Sequence, residues 1–226
     1  MDTPTITVWD IDLAPEAPDA SVHGLLTAGE LDRAAGLADP VHRSALIRSH
    51  AAARVVLADY AGVPAGRIRW TTGPHGKPAP AAGGCEWNLS RSGTRALLAV
   101  TRGPAVGVDI QREHPHGDPW ALARRFFTAA EADRVGSAPA GRERVSRLCQ
   151  LLSRKEAWAK AAGGRLLQFL RRDARGPAPK QWNGDDYFLA DLEIGPGFAA
   201  AIATTGRTPG PVDYHTRDWR DLCALN

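Results

Sequence analysis

One stretch of the chain superimposes on another at a displacement of 101 positions, and no other sequence feature limits the fold so strongly. Thr27-Ala28-Gly29-Glu30-Leu31-Asp32-Arg33 recurs as Thr128-Ala129-Ala130-Glu131-Ala132-Asp133-Arg134, and the register continues without a gap to Gly62 and Gly163. It matches Arg43 with Arg144, Arg54 with Lys155, Ala58 with Ala159 and Ala61 with Ala162. Upstream, Trp9-Asp10-Ile11-Asp12 is similar to Val108-Asp109-Ile110-Gln111 at a slightly different offset. A chain rich in Ala and Arg gives isolated matches by chance, whereas a common register over a whole segment points to two similar halves. Each half reads as a strand, a Thr-x-x-Glu capping box opening a short helix, a loop, a long helix and further strands. The expected fold is α+β, an intramolecular pseudo-dimer in which each half packs a long helix on a small, mostly antiparallel sheet. The boundary is expected near Pro104, giving halves 1–104 and 105–226 that face each other across a cleft.

Periodicity and punctuation place the elements. The long helices are expected over Arg43 to Ala61 and Arg142 to Ala162, each ending at a glycine. Strands are expected at Ile68 to Thr71, Ala96 to Thr101, Ala105 to Ile110, Tyr187 to Glu193 and Phe198 to Thr204. Gly73 to Gly84, Gln111 to Pro119 and Asp173 to Gly184 read as loops. No apolar run approaches the ~18 residues of a membrane span, and the acidic start Met1-Asp2-Thr3-Pro4 lacks the pattern of an export signal. Cys85, Cys149 and Cys223 are too scattered for a disulfide framework or a zinc site, which fits a reducing cytoplasm.

Charge adds a sharper clue. The 28 basic residues comprise 24 arginines and only four lysines: Lys77, Lys155, Lys160 and Lys180. Ammonium is a compact point charge and guanidinium a planar fork, so lysines kept in an arginine-using chain invite a local reason. The basic balance, with a pI near 9.0, points to an anionic partner, either nucleic acid or a smaller phosphorylated molecule.

Two carboxylates stand in unusual places. Val145, Leu148, Cys149 and Leu152 form an apolar stripe on the second long helix, and Glu156 continues it one turn on, followed by Lys160 after another turn. The pair is either a solvated i,i+4 contact or part of a site, because a buried carboxylate needs a partner. Val106, Val108 and Ile110 alternate on one face of a strand, which puts Gly107, Asp109 and Gln111 on the other. Asp109 either starts the following turn or faces a ligand, and Gly107 beside it suggests close approach of a ligand or chain segment. Two carboxylates at 4 Å repel by about 4 kcal/mol at an effective dielectric of 20. A divalent cation would remove that repulsion, and oxygen ligands favour Mg²⁺ or Mn²⁺ with further ligands from substrate phosphates. Lys77 in Gly76-Lys77-Pro78, with Asn88-Leu89-Ser90-Arg91-Ser92, adds cations and hydroxyls suited to phosphate oxygens.

These pieces, in order over residues 70 to 165, resemble the 4'-phosphopantetheinyl transferases, specifically the larger surfactin-synthetase-activating type built as a fused pseudo-dimer. The matching motifs are Gly76-Lys77-Pro78, Asn88-Leu89-Ser90-Arg91-Ser92, Gly107-Val108-Asp109-Ile110, Phe126-Phe127-Thr128 with Glu131, and Lys155-Glu156-Ala157 with Lys160 and Gly163. The resemblance implies Mg²⁺-dependent transfer of the phosphopantetheine arm of coenzyme A, the co-substrate, to a serine of an apo acyl or peptidyl carrier protein, releasing adenosine 3',5'-bisphosphate. It assigns Asp109 and Glu156 to the metal, with Gln111 as a third candidate standing where the family commonly has an acid. Glu156 would also help take the serine proton, and Lys160 would neutralise diphosphate charge. Lys77, Ser90 and Arg91 would contact the nucleotide phosphates, with Arg48 and Arg43 as weaker candidates. Lys155 would point elsewhere, and Glu131, third in a capping box, is either a helix cap or a catalytic group.

Carrier docking is expected on the second half, where Phe126, Phe127, Trp158, Leu166, Leu167 and Phe169 are either contacts or core. One chain already supplies both halves of a cleft, so a monomer is expected. An alternative is a catalytically impaired homologue that binds coenzyme A or carrier, motivated by Gln111 and Arg91. A nucleic-acid binder is disfavoured, because the aromatics do not interleave with the basic residues.

Overall fold

The computed structural model describes residues 4–14, 19–72, 78–80, 84–114, 117–207 and 210–224. Its first half runs through strand β1 (Ile6–Asp12), helices α1 (Ala28–Ala35) and α2 (Pro40–Ala61), and strands β2 (Trp70–Thr72), β3 (Pro78–Pro80), β4 (Glu86–Ser92) and β5 (Arg95–Thr101). The second half follows as β6 (Val106–Arg112), α3 (Pro119–Phe126), α4 (Ala129–Gly136), α5 (Arg142–Ala161), β7 (Lys180–Trp182), β8 (Asp185–Leu192) and β9 (Phe198–Thr205). Last come β10 (Val212–Asp218) and α6 (Trp219–Ala224).

Both capping boxes form. Thr27 Oγ1 accepts the Glu30 N–H while Glu30 Oε2 accepts the Thr27 N–H, and Thr128 and Glu131 repeat the exchange at the head of α4. The long helix α2 begins at Pro40, earlier than its periodicity suggests, because Asp39 caps the Val41 N–H and Pro suits a first helical position. It stops at Gly62, whose φ of 64° is left-handed.

Two four-stranded sheets result, ordered β10-β1-β5-β4 and β6-β9-β8-β7, beside the small β2-β3 pair. The second sheet is antiparallel throughout, whereas β10 joins the first in parallel with β1. Ile6, Val8, Leu97 and Ala99 of the first sheet meet Val106, Val108, Ile110 and Ile202 of the second in a shared core. The opposite face of the first sheet takes α2 through Leu46, Leu57 and Leu98. The opposite face of the second takes α5 through Ala157, Trp158 and Ala161 against Leu189 and Ala203. The layers therefore run helix, sheet, sheet, helix, as an α+β pseudo-dimer, and no helix among the described residues is long and apolar enough to cross a membrane.

Five expectations change, the first being that the segment Gly73 to Gly84 is not wholly loop, since residues 78–80 form β3 beside β2. Residues 212–224 leave the expected second half, since β10 covers the outer edge of β1 and Trp219 and Leu222 of α6 join the α2 core. The segment Asp173 to Gly184 is not wholly loop: β7 forms a hairpin with β8 through Asn183 at φ 51° and Gly184 at φ 90°. Helix α3 begins inside the expected connection, at Pro119 behind its cap Asp118. Finally, Asp10 is not the counterpart of Asp109. Asp10 shares a face with Ile6 and Val8, bonded to Arg95 and Tyr214, whereas Asp109 lies opposite the Val106 and Val108 face. A slip of one residue along a strand exchanges its faces, so the upstream similarity matched letters and not positions.

Candidate active site

Gly107 explains how the site assembles. A Cβ there would lie 2.2 Å from the Ala157 carbonyl oxygen and 2.4 Å from the Ala161 nitrogen, so its absence lets α5 cross directly over β6. The close approach inferred from the sequence is thus that of a chain segment. On the same face of β6, Asp109 and Gln111 then meet Glu156 and Lys160, one turn apart on α5.

Asp109 is 2% exposed and all but saturated. Its Oδ1 accepts Lys160 Nζ at 2.6 Å and the Ser90 hydroxyl at 2.7 Å, and its Oδ2 accepts Gln111 Nε2 at 2.7 Å. Lys160 Nζ also donates to Ser90 Oγ at 2.9 Å and to the Val108 carbonyl at 3.1 Å. Gln111 Nε2 lies 3.4 Å from Glu156 Oε1, so one carboxamide bridges the two carboxylates. Burial, then the charge of Asp109, pushes Glu156 up to about 7 against the opposing pull of Lys160. A carboxyl in that range can hold or release a proton near neutral pH.

The oxygens present suit a hard divalent cation. Asp109 and Glu156 supply carboxylates, and Gln111 would supply its carbonyl oxygen once the amide turned over. The donor now bridging the carboxylates marks where positive charge is favoured. Among the described residues no three His, Cys, Asp or Glu side chains cluster for a metal. A cation held by two carboxylates and a neutral oxygen would need waters or phosphate oxygens to complete its shell.

The remaining candidates scatter. Lys77 lies outside the described residues. Arg91 alternates with Ser90 on β4 and therefore points to the other face, where the head group's burial and then the like charge of Arg33 lower its pKa, although the residue as a whole is exposed. Arg33, on α1, was not singled out in the sequence, and only the fold reveals its proximity to Arg91. Arg48 is committed elsewhere: Nε bonds Asp19 at 2.8 Å, Nη1 bonds the Leu13 carbonyl at 2.8 Å, and the guanidinium stacks on Trp219. Arg43 bonds the Leu37 carbonyl, leaving its buried Nε without a partner. Neither arginine touches the Asp109 cluster.

Glu131 and Lys155 are both 0% exposed and paired at 2.8 Å. Glu131 also accepts the Ala174 N–H, and Lys155 donates to the Phe169 and Arg172 carbonyls beneath the Phe127 ring. This cluster ties α4, α5 and the following loop together away from Asp109. Of the expected docking residues, Phe127, Trp158 and Phe169 are core. Phe126 and Leu167 are exposed and, with Leu122, Leu148, Leu152 and Leu170, line an apolar groove.

Residues 105–201 match the family model described as the 4'-phosphopantetheinyl transferase superfamily. Over 219 residues the chain is 31% identical to the 4'-phosphopantetheinyl transferase HetI of Nostoc sp., spanning 93% of this chain and 92% of that protein. It is 30% identical over 142 residues to the putative 4'-phosphopantetheinyl transferase slr0495 of Synechocystis sp., covering 62% of this chain and 57% of the relative. Against the 4'-phosphopantetheinyl transferase AcpT of Salmonella typhimurium the identity is 32% over 108 residues, or 47% and 55% of the two chains.

Proposed function

The chain belongs to the 4'-phosphopantetheinyl transferase superfamily and is an enzyme of that kind; from that premise we propose that it moves the phosphopantetheine arm of coenzyme A onto a serine of an apo carrier protein. The observation that carries this reading is the convergence of Asp109, Gln111, Glu156 and Lys160 on one face of β6. In the proposed reaction the serine oxygen bonds to the phosphorus bearing the pantetheine arm. The diphosphate P–O bond breaks, and adenosine 3',5'-bisphosphate leaves. Glu156, beside Asp109 and Gln111 on the same face, takes the serine proton. Lys160 neutralises the charge that develops on the diphosphate as its P–O bond breaks, with Ser90 holding its ammonium in place. Asp109, Glu156 and Gln111 would hold Mg²⁺ or Mn²⁺, which supplies charge compensation to the diphosphate. Lys77 and Arg91, joined by Arg33, are the proposed nucleotide-phosphate contacts. Arg43 and Arg48 drop to supporting roles, because their groups are already used within the first half.

The groove between Phe126, Leu152 and Leu167 is the proposed carrier seat. Leu152 stands one helical turn before Glu156, and Arg124 and Arg125 end α3 beside it, which suits an amphipathic acidic helix. We propose a monomer acting in the cytoplasm. Its first half, 1–104 completed by 212–224, would supply nucleotide contacts, and its second half catalysis and docking. The fused halves support the surfactin-synthetase-activating type.

The test is intact-protein mass spectrometry of apo fatty-acid, polyketide and peptide-synthetase carriers incubated with enzyme, coenzyme A and Mg²⁺. A phosphopantetheine adduct on at least one, lost in Asp109→Ala and Glu156→Ala, is expected. No adduct on any carrier refutes transfer. If calorimetry then still detects coenzyme A binding, the impaired-homologue reading, which Gln111 favours, replaces it.

A further inference from the structure

Strand β6 is the edge of the second sheet, so the N–H groups of Val108, Ile110 and Arg112 point away from β9 with no ladder partner. Each is met by a side chain of β4 in the other half. Asn88 Oδ1 accepts Val108 N–H at 2.9 Å, Ser90 Oγ lies 3.4 Å from the Ile110 nitrogen, and Ser92 Oγ accepts Arg112 N–H at 2.9 Å. Both strands advance two residues per rung, so alternate side chains of one strand address alternate amides of the other. The middle rung is long because its hydroxyl is diverted: Ser90 gives its proton to Asp109 at 2.7 Å and takes Lys160 at 2.9 Å. Beside Asp109, register is left to the Asn88 rung. Ser92 closes its rung at the exposed Arg112, whereas Asn88 is 3% exposed and holds the residue directly before Asp109.

We propose that Asn88 is a positioning residue. By holding the Val108 amide, it fixes where β6 sits against β4 and so aims Asp109 at Glu156, Gln111 and Lys160. It contacts neither substrate nor cation, and this inference rests on the active-site reading above. The seam therefore makes one half of the chain responsible for the geometry of the other half's carboxylates. Supports of this kind change metal affinity or activity by about 10–100-fold when removed.

The experiment compares wild type, Asn88→Ala and Ser92→Ala by Mn²⁺ titration monitored by electron paramagnetic resonance, Val108 amide exchange by NMR, and steady-state transfer kinetics. Asn88→Ala should bind Mn²⁺ about ten-fold more weakly, expose the Val108 amide to exchange, and lower kcat about ten-fold with KM for coenzyme A nearly unchanged. Ser92→Ala should leave kcat and Mn²⁺ affinity near wild type. A folded Asn88→Ala with faster Val108 exchange but wild-type Mn²⁺ affinity and kcat would make the rung merely structural and overturn the proposal. If Asn88→Ala does not fold, Asn88→Asp, which keeps the acceptor oxygen, must retain Val108 protection and Mn²⁺ binding; loss of both overturns it as well. Wild type that binds Mn²⁺ but transfers nothing refutes the reaction assigned above, while the Mn²⁺ and exchange measurements still decide the role of Asn88.

Discussion

Replacing Glu131 by glutamine tests whether this residue is a structural hub or part of the chemistry. Its four acceptor positions are all used. Oε2 takes the Thr128 N–H at 3.0 Å and the Thr128 hydroxyl at 2.8 Å, while Oε1 takes the Ala174 N–H at 2.9 Å and Lys155 Nζ at 2.8 Å. A carboxamide has one oxygen, so whichever way it turns, its NH₂ must face donors. Lys155, 0% exposed, would keep carbonyl oxygens, a ring face and the charge of Asp173, with no carboxylate bonded to it. Burial already lowers its pKa, with Glu131 opposing the shift, so losing that carboxylate drives it toward the neutral amine. Breaking a buried pair by removing one partner costs about 3–5 kcal/mol. At roughly 2–4 °C per kcal/mol for a domain of this size, a loss of about 4 kcal/mol lowers Tm by about 8–16 °C. Differential scanning calorimetry without ligands measures it, and transfer assayed at 20 °C below the variant's midpoint should keep kcat within about three-fold. A variant melting within about 2 °C of wild type would show that the pair is not buried as described. A stable variant that has lost transfer would instead make Glu131 catalytic. Adding Lys155→Met to Glu131→Gln should recover part of the loss, since it removes the buried cation left without its partner.

Three further outcomes test the packing, the electrostatics and the groove. Gly107→Ala puts a methyl 2.2 Å from the Ala157 oxygen, so α5 must lift from β6; we expect at least about 1–3 kcal/mol lost and a larger fall in kcat than in coenzyme A affinity, and unchanged kinetics would refute the close crossing. Glu156, with a folded pKa of about 7 against an ordinary value of 4.5, binds more protons when folded. The metal-free protein should therefore lose stability as pH rises through that window; Glu156→Gln should flatten the slope, and an identical slope in the variant would assign it to other groups. Leu167→Asp places a charge on a residue 78% exposed in the apolar groove. It should raise KM for the carrier about ten-fold or more without altering KM for coenzyme A or Tm, and no change in carrier KM would remove the groove from the docking surface.

What the sequence disclosed was local. The capping boxes, the two long helices and the Gly107-x-Asp109 face follow from spacing alone, and each depends on residues within a few positions of one another. Strand β10 escaped because Val-Asp-Tyr-His-Thr-Arg-Asp carries no apolar alternation; it exists by pairing with residues some two hundred positions away. Arg48 misled for a related reason, since its partner Asp19 lies in a short 3-10 turn that no pattern connects to α2. The β4 side chains that satisfy β6 were visible as letters, and Asn88-x-Ser90-x-Ser92 has the period of a strand. Their role needed knowledge that β6 is an edge, which is a property of the sheet order and not of either strand.

Why the Asp109 and Glu156 cluster is not repeated in the first half, among the described residues, also has a physical answer. The repeat preserves its buried ion pairs: Glu30 with Arg54 at 2.7 Å in the first half, and Glu131 with Lys155 at 2.8 Å in the second. Both pairs serve the scaffold, joining a capping box to the long helix. At the same displacement, Glu156 corresponds to Val55 and Lys160 to the exposed Asp59. On the strand, the face occupied by Asp109 in β6 carries Trp9 in β1, stacked on His215 of β10. The outer edge of β1 is closed by that strand, whereas the edge of β6 is left to β4. One edge is sealed by backbone and the other by side chains, and only side chains can reach past the edge to a neighbouring carboxylate, as Ser90 does to Asp109. Fusing the halves therefore leaves the β6 edge open to side chains of β4, so the two carboxylates of the second half lie beside a seam that the first half lines.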